Sequence, residues 1–149
     1  MTRHLRLLIA VAAAGAAPAA AAATPVVPVF IQHRIAQTVP GLAYVPARGA
    51  LGWTYERWTH DGALRIFFRN KAGREIVFVA ARFNGSCRAG MEKSFQLDGV
   101  KVWWSQTPNE QQAWRCVNGM KLVAATSLGP DHFADSGLGR IAASGHRIR

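Results

Sequence analysis

The chain has 149 residues and a mass of 16.2 kDa, and half of its residues are hydrophobic. Its 18 Lys and Arg stand against 8 Asp and Glu, a formal net charge of +10, and it contains two cysteines. These values fit one domain, carry too much apolar content for a disordered chain, and supply too few cysteines for a disulfide-dense scaffold.

Residues 1–23 have the layout of a secretory signal peptide. Arg3 and Arg6 form a positive start, 7–17 is a short apolar run, and an Ala-rich stretch around Pro18 offers small residues for cleavage. Cleavage is expected after Ala23, with Ala19 to Ala22 as alternatives, leaving a mature chain of 126 residues, 24–149, with a charge of +8 once Arg3 and Arg6 are gone. The apolar run is too short to cross a bilayer, which takes about 20 apolar residues. No later segment reads as a membrane span, and no cysteine near the cleavage zone would take a lipid anchor. The expected location is therefore periplasmic or extracellular. An oxidising compartment favours a Cys87–Cys116 disulfide, and closing that loop stabilises a fold by about 3–4 kcal/mol in the chain-entropy model. The bridge would also remove both thiols as nucleophiles.

After a Pro-rich lead-in over 24–29, apolar Phe30, Ile31, Ile35 and Val39 recur at helical spacing between Pro28 and Pro40, which predicts a helix over 28–39. From Gly52 the period changes to two. Asp61-Gly62, Asp98-Gly99 and Asn118-Gly119 are hairpin-type dipeptides between β-rich runs, and Asn70-Lys71-Ala72-Gly73 forms a fourth turn. Strands are expected near 53–60, 63–69, 74–82, 93–97, 100–105, 113–117 and 120–126. Thr107-Pro108-Asn109-Glu110 has capping-box spacing with Pro at the first helical position, and a single helical turn there would delay the sixth strand. A helix over 131–144 follows from Phe133, Ala134, Leu138, Ile141 and Ala142, although Gly137 and Gly139 weaken it. The tail His146-Arg147-Ile148-Arg149 reads as solvated. The fold class is α+β: a single antiparallel, hairpin-rich sheet of six or seven strands packed on an N-terminal and a C-terminal helix.

Two-residue turns assign the faces. At Asp61-Gly62 this register puts Trp53, Tyr55, Arg57 and Thr59 with Leu64, Ile66 and Phe68 on the core side. Glu56, Trp58 and His60 then share the other side with Arg65, Phe67 and Arg69. Arg57 is a misfit in that core. At Asp98-Gly99, Phe95, Leu97, Val100, Val102 and Trp104 fall together, opposite Ser94, Gln96, Lys101, Trp103 and Ser105.

No catalytic motif emerges. His33, His60, His132 and His146 are scattered, without metal-binding spacing, and neither a nucleophile elbow nor a phosphate loop is present. Asp61 and Asp98 are explained by their turns. Glu56 and Glu75 on neighbouring strands could form an acid/base pair of glycoside-hydrolase type, but Arg65 and Arg69 within reach favour ion pairing. No cofactor is expected. The remaining feature is a polar-aromatic face: Trp58, Phe67 and Trp103 ringed by Arg65, Arg69 and Lys101. Flat rings stack on sugars, and cations fix anionic groups. The competing reading is that cross-strand cation–π pairs there only stabilise the sheet. The basic residues are dispersed, with no nucleic-acid module, so a specific nucleic-acid partner is not expected.

The stretches Gly52-Trp53-Thr54-Tyr55-Glu56-Arg57-Trp58 and Gln111-Gln112-Ala113-Trp114-Arg115-Cys116-Val117-Asn118-Gly119 resemble, in layout, small exported bacterial domains of unknown function. That resemblance implies a signal peptide and one antiparallel sheet with a helix or two, and no activity. The expected function is a non-catalytic binding module of the cell envelope, with an envelope glycan, an anionic polymer or another exported protein as partner. The alternatives are a small hydrolase acting on an envelope polymer and an inhibitor or sensor that docks another exported protein.

Overall fold

The computed structural model describes residues 25–88, 90, 93–127 and 135–149. The signal-peptide segment and residues 131–134 of the expected C-terminal helix lie outside the described residues.

The helix α1, Val29–Thr38, starts after Pro28, whose carbonyl accepts from the N–H groups of Ile31 and Gln32 at 2.9 and 3.0 Å. Ile31 and Ile35, one turn apart, are its buried side. Phe30, expected on the same stripe, points outward and is 68% exposed. Pro40 ends α1 and opens a single 3-10 turn, Pro40–Leu42.

Among the described residues nine strands follow: β1 Tyr44–Pro46, β2 Trp53–His60, β3 Leu64–Asn70, β4 Glu75–Arg82, β5 Lys93–Leu97, β6 Val100–Gln106, β7 Gln111–Val117, β8 Met120–Thr126 and β9 Gly145–Arg147. Helix α2, Asp135–Ala143, lies between β8 and β9. Seven strands form one antiparallel sheet in the order β2-β3-β4-β8-β7-β6-β5. The chain runs β2-β3-β4 by hairpins, crosses to the far edge, and returns β5-β6-β7-β8 so that β8 closes against β4. The Cys87–Cys116 disulfide, with Cα atoms 5.9 Å apart, ties that crossing segment to β7.

The seven expected strands are all present. Asp98 and Gly99, and Asn118 and Gly119, have positive φ as tight primed turns require, and the β5–β6 register places every residue on the face the turn predicts. The Thr107–Glu110 segment is the exception to the turn reading. The Thr107 hydroxyl accepts the Glu110 N–H at 3.1 Å as a helix cap would, but no helix follows. Thr107 N–H instead bonds the Glu110 carbonyl at 2.9 Å, and β7 begins at Gln111, opposite Thr126. The ladder supplies more hydrogen bonds than one isolated helical turn.

The core lies between one face of the sheet and both helices. Ile66 and Phe68 of β3, Ile76 and Phe78 of β4, and Leu122 of β8 meet Ile31, Ile35, Leu138 and Ile141. Gly139 makes this contact possible, since a Cβ there would lie 2.8 Å from Phe95 Cζ. The residue that weakens α2 as a helix is the one that lets it sit on the sheet.

The tail keeps His146, Arg147 and Arg149 exposed, as expected, but it is built into a strand. β9 pairs with β1, Tyr44 opposite Arg147 and Pro46 opposite Gly145, and Ile148 N–H bonds the Ala43 carbonyl at 2.9 Å. Local sequence gives no hint of this pairing, because it depends on Gly145 fitting against the core.

Candidate functional site

The face of the sheet away from the helices carries the residues the sequence singles out, with one exchange. The loop between β2 and β3 has three residues, so His60 pairs with Leu64 and Trp58 with Ile66. A bulge between Tyr55 and Arg57 then restores the expected pairing of Thr54 with Arg69. Trp58 therefore shares the core side with Ile66, packs against the core cluster and stacks on His60 with ring centroids 5.7 Å apart. The expected grouping of Trp58 with Arg65, Phe67 and Arg69 is corrected: Arg57 takes that place, and the misfit of a core-facing arginine disappears.

Arg57 and Arg69 bind Glu56 and Glu75 in a closed square. Arg57 Nη1 donates to Glu56 at 2.8 Å and to Glu75 at 3.0 Å, and Arg69 donates to the same two carboxylates at 2.9 and 3.4 Å. The hydrogen bond to Glu75 is the first cause that holds the Arg57 guanidinium above its usual pKa, and desolvation opposes it. The Arg57 guanidinium also lies over the Phe67 ring, 3.8 Å from its centroid. These groups are a third to a half exposed, so solvent screens each pair and it contributes little to stability. Both glutamates are thus ion-paired, as the neighbouring arginines led one to expect. Arg65 reaches the Asp61 carbonyl, at 3.5 Å, and makes no ion pair among the described residues.

Across the sheet lies a second polar-aromatic group. Trp103 of β6 is half-buried, its ring 4.6 Å from the Lys101 ammonium. Ser94 and Gln96 stand opposite Trp103 and Lys101 on the edge strand β5. On the inner side Trp103 pairs with Trp114, which is 2% exposed and donates its indole N–H to the Cys87 carbonyl at 2.7 Å. Lys121 lies over both the Trp114 and Phe83 rings, at 4.8 and 5.4 Å. The disulfide thus holds the segment around Cys87 over Trp114, and Trp103 is left as the accessible ring. Half-buried Val77, Val79 and Val123 separate this group from the arginine–glutamate square.

Trp114, Lys121 and Arg57 are the members of this face that the sequence reading missed. The two-residue turn at Asn118-Gly119 carried the signal for the first two, because it pairs Trp114 with Val123 and Cys116 with Lys121. For Arg57 the signal was its misfit as a core-facing charge, while the bulge that resolves it adds a residue without altering composition. Among the described residues no group of three His, Cys, Asp or Glu could hold a metal ion, and no helix is long and apolar enough to cross a membrane. No family model, curated protein or solved structure matches the chain.

Proposed function

We propose that the chain is an exported, non-catalytic binding module whose open sheet face holds an anionic glycan of the cell envelope along Lys101, Trp103 and Lys121. The observation that carries this reading is the half-buried Trp103 ring beside the Lys101 ammonium, with a hydroxyl at Ser94 and an amide at Gln96 opposite. An indole face stacks on a sugar ring, neighbouring cations pair with its acidic substituents, and short polar groups bond its hydroxyls. Neither Lys101 nor Lys121 makes an ion pair among the described residues. The engagement of Glu56 and Glu75 by two arginines supports binding over hydrolysis. The disulfide fits an oxidising compartment, and the layout of residues 1–23 supports export to it.

The test is co-sedimentation of residues 24–149 with an insoluble acidic polysaccharide of the bacterial envelope and with a neutral one. Binding to the acidic polymer that Trp103→Ala and Lys101→Ala each abolish, with unchanged thermal midpoints, supports the reading. Binding that survives both variants refutes it. Loss of thermal stability in Trp103→Ala would instead assign that ring to holding the sheet together. Retention on another exported protein through the same residues would move the partner from glycan to protein.

A further inference from the structure

Four arginines from distant parts of the sequence converge at the end of the sheet that the β1–β9 ribbon covers. Arg82 closes β4, Arg115 lies in β7, Arg147 in β9 and Arg149 just beyond it. With Tyr44 and Asn118 they line a cleft of about 600 Å³ that no acidic side chain lines among the described residues. The register explains the meeting. Arg82 pairs with Met120, Met120 with Val117, and Arg115 is two residues before Val117 on the same side. Arg147 pairs with Tyr44 in the ribbon laid over them.

Arg115 occupies a core-side position of β7 between Ala113 and Val117, where an apolar residue would be cheaper to bury. Its Nη2 donates to the Gly145 carbonyl, while its Nε–H is buried without an acceptor. Burial holds the Arg115 guanidinium below its usual pKa, and Tyr44 pulls the other way. The Arg82 guanidinium lies so close to Gly41 that a Cβ there would come within 2.7 Å of it, so the backbone forms one wall against the charge. Three arginines elsewhere are ion-paired, Arg48 with Asp98, and Arg57 and Arg69 with two glutamates. None of the four cleft arginines makes an ion pair among the described residues. Four guanidinium groups gathered without an ion pair among the described residues, one of them with an orphaned donor, suit an anion with more charge than the single α-carboxylate of Arg149.

We propose that this cleft binds a compact phosphorylated ligand carrying at least two anionic groups. Guanidinium forks match phosphoryl oxygens two at a time, and several forks converging on one cleft favour a diphosphate-like group over a single monoanion. The site is separate from the open sheet face and lies on the opposite side of β7.

The probe is inorganic pyrophosphate, titrated calorimetrically into residues 24–149 at low salt, with acetate as the monoanion control. Saturable pyrophosphate binding is expected, weakened about tenfold or more by Arg82→Ala and by Arg149→Ala. Arg115→Lys keeps the charge but loses the fork, and a similar loss is expected. Lys71→Ala removes one positive charge at the exposed β3–β4 turn and should leave the affinity within about twofold. Equal loss in Lys71→Ala would reduce the effect to diffuse net charge and overturn the site, as would absence of pyrophosphate binding or acetate binding as tightly. If Arg115→Lys does not fold, the exposed Arg82 and Arg149 variants still decide. Vesicles containing phosphatidic acid, captured by the wild type and released by Arg82→Ala, identify a lipid headgroup as the source. Binding of pyrophosphate without vesicle capture identifies a soluble phosphate ester. Trp103→Ala should change none of these results, which keeps this cleft and the sheet face independently testable.

Discussion

Arg57 and Phe67 face each other across β2 and β3, the guanidinium 3.8 Å from the ring centre, on the face where strict alternation would place Trp58. The extra residue that makes this possible is Glu56, which lies between the Tyr55–Phe68 and Arg57–Phe67 pairs. Bulges change the face of every residue beyond them at the cost of one unpaired rung.

Deletion of Glu56 should therefore be tolerated. It joins two rungs that already have correct faces, Tyr55 toward the core and Arg57 toward the open side. The loss is two exposed, solvent-screened ion pairs, a small effect. Deletion of Thr59 instead moves Arg57 and Phe67 out of register and turns Trp58 away from the core, and should cost several times more. Thermal unfolding of the two deletion variants measures the contrast, and equal destabilisation would remove the bulge from the argument.

The same two strands show how far the sequence can be read. Turns of two residues with Asp-Gly or Asn-Gly at positive φ set the β5–β6 register correctly, so Lys101 and Trp103 were legible as neighbours on one face. Asp61-Gly62 has the same dipeptide type but sits in a loop of three residues that includes Ala63, and composition alone does not distinguish the two. That one-residue slip misplaced Trp58. Strand order was not legible either, because the crossing from β4 to β5 is fixed by the pairing of β8 with β4, a contact between distant segments. The arginine cleft was invisible for the same reason: its four members come together only when β9 returns to β1.

Reduction of Cys87–Cys116 should lower unfolding free energy by about 3–4 kcal/mol, the value for closing a loop of this length in the chain-entropy model. The bridge spans 29 residues and holds the segment whose Cys87 carbonyl accepts the Trp114 indole N–H. The Cys87→Ser/Cys116→Ser variant should therefore show a lower denaturant midpoint and a solvent-shifted Trp114 emission, read against Trp114→Phe. A midpoint that does not move would show that β7 and β8 hold the crossing segment without the bridge.

Tyr55 predicts an alkaline limit. Burial raises its phenol above the ordinary value of 10.0, with Arg34 opposing. The folded state thus binds the proton more tightly than the unfolded one. This contribution is complete below pH about 10 and is lost as pH rises through the folded value. The stability difference between wild type and Tyr55→Phe should stay constant below that pH and then shift in favour of the phenylalanine variant. A difference that remains flat to the alkaline end would contradict the burial of the phenol.

Gly145 holds the ribbon onto the core, and alanine there should be the costliest of the glycine substitutions in the tail and turns. A Cβ would come 2.7 Å from Leu122 Cδ1 and 3.0 Å from Phe78 Cζ, both in fully buried side chains that have no room to retreat. Overpacking of this kind costs about 1–3 kcal/mol. Gly119→Ala provides the comparison: nothing lies within 4 Å of its Cβ, so its cost is the strain of φ +73° alone, about 1 kcal/mol. The two variants also differ in where the damage falls. Gly145→Ala should lift β9 from the sheet and speed exchange of the Ile148 amide, which bonds the Ala43 carbonyl at 2.9 Å. Gly119→Ala should leave that amide protected. Lifting β9 also carries Arg147 and Arg149 away from Arg82 and Arg115, so Gly145→Ala should weaken pyrophosphate binding while Gly119→Ala does not. Hydrogen exchange and titration on the same two proteins measure both effects, and retained affinity in a Gly145→Ala protein with an unprotected Ile148 amide would separate the cleft from the ribbon.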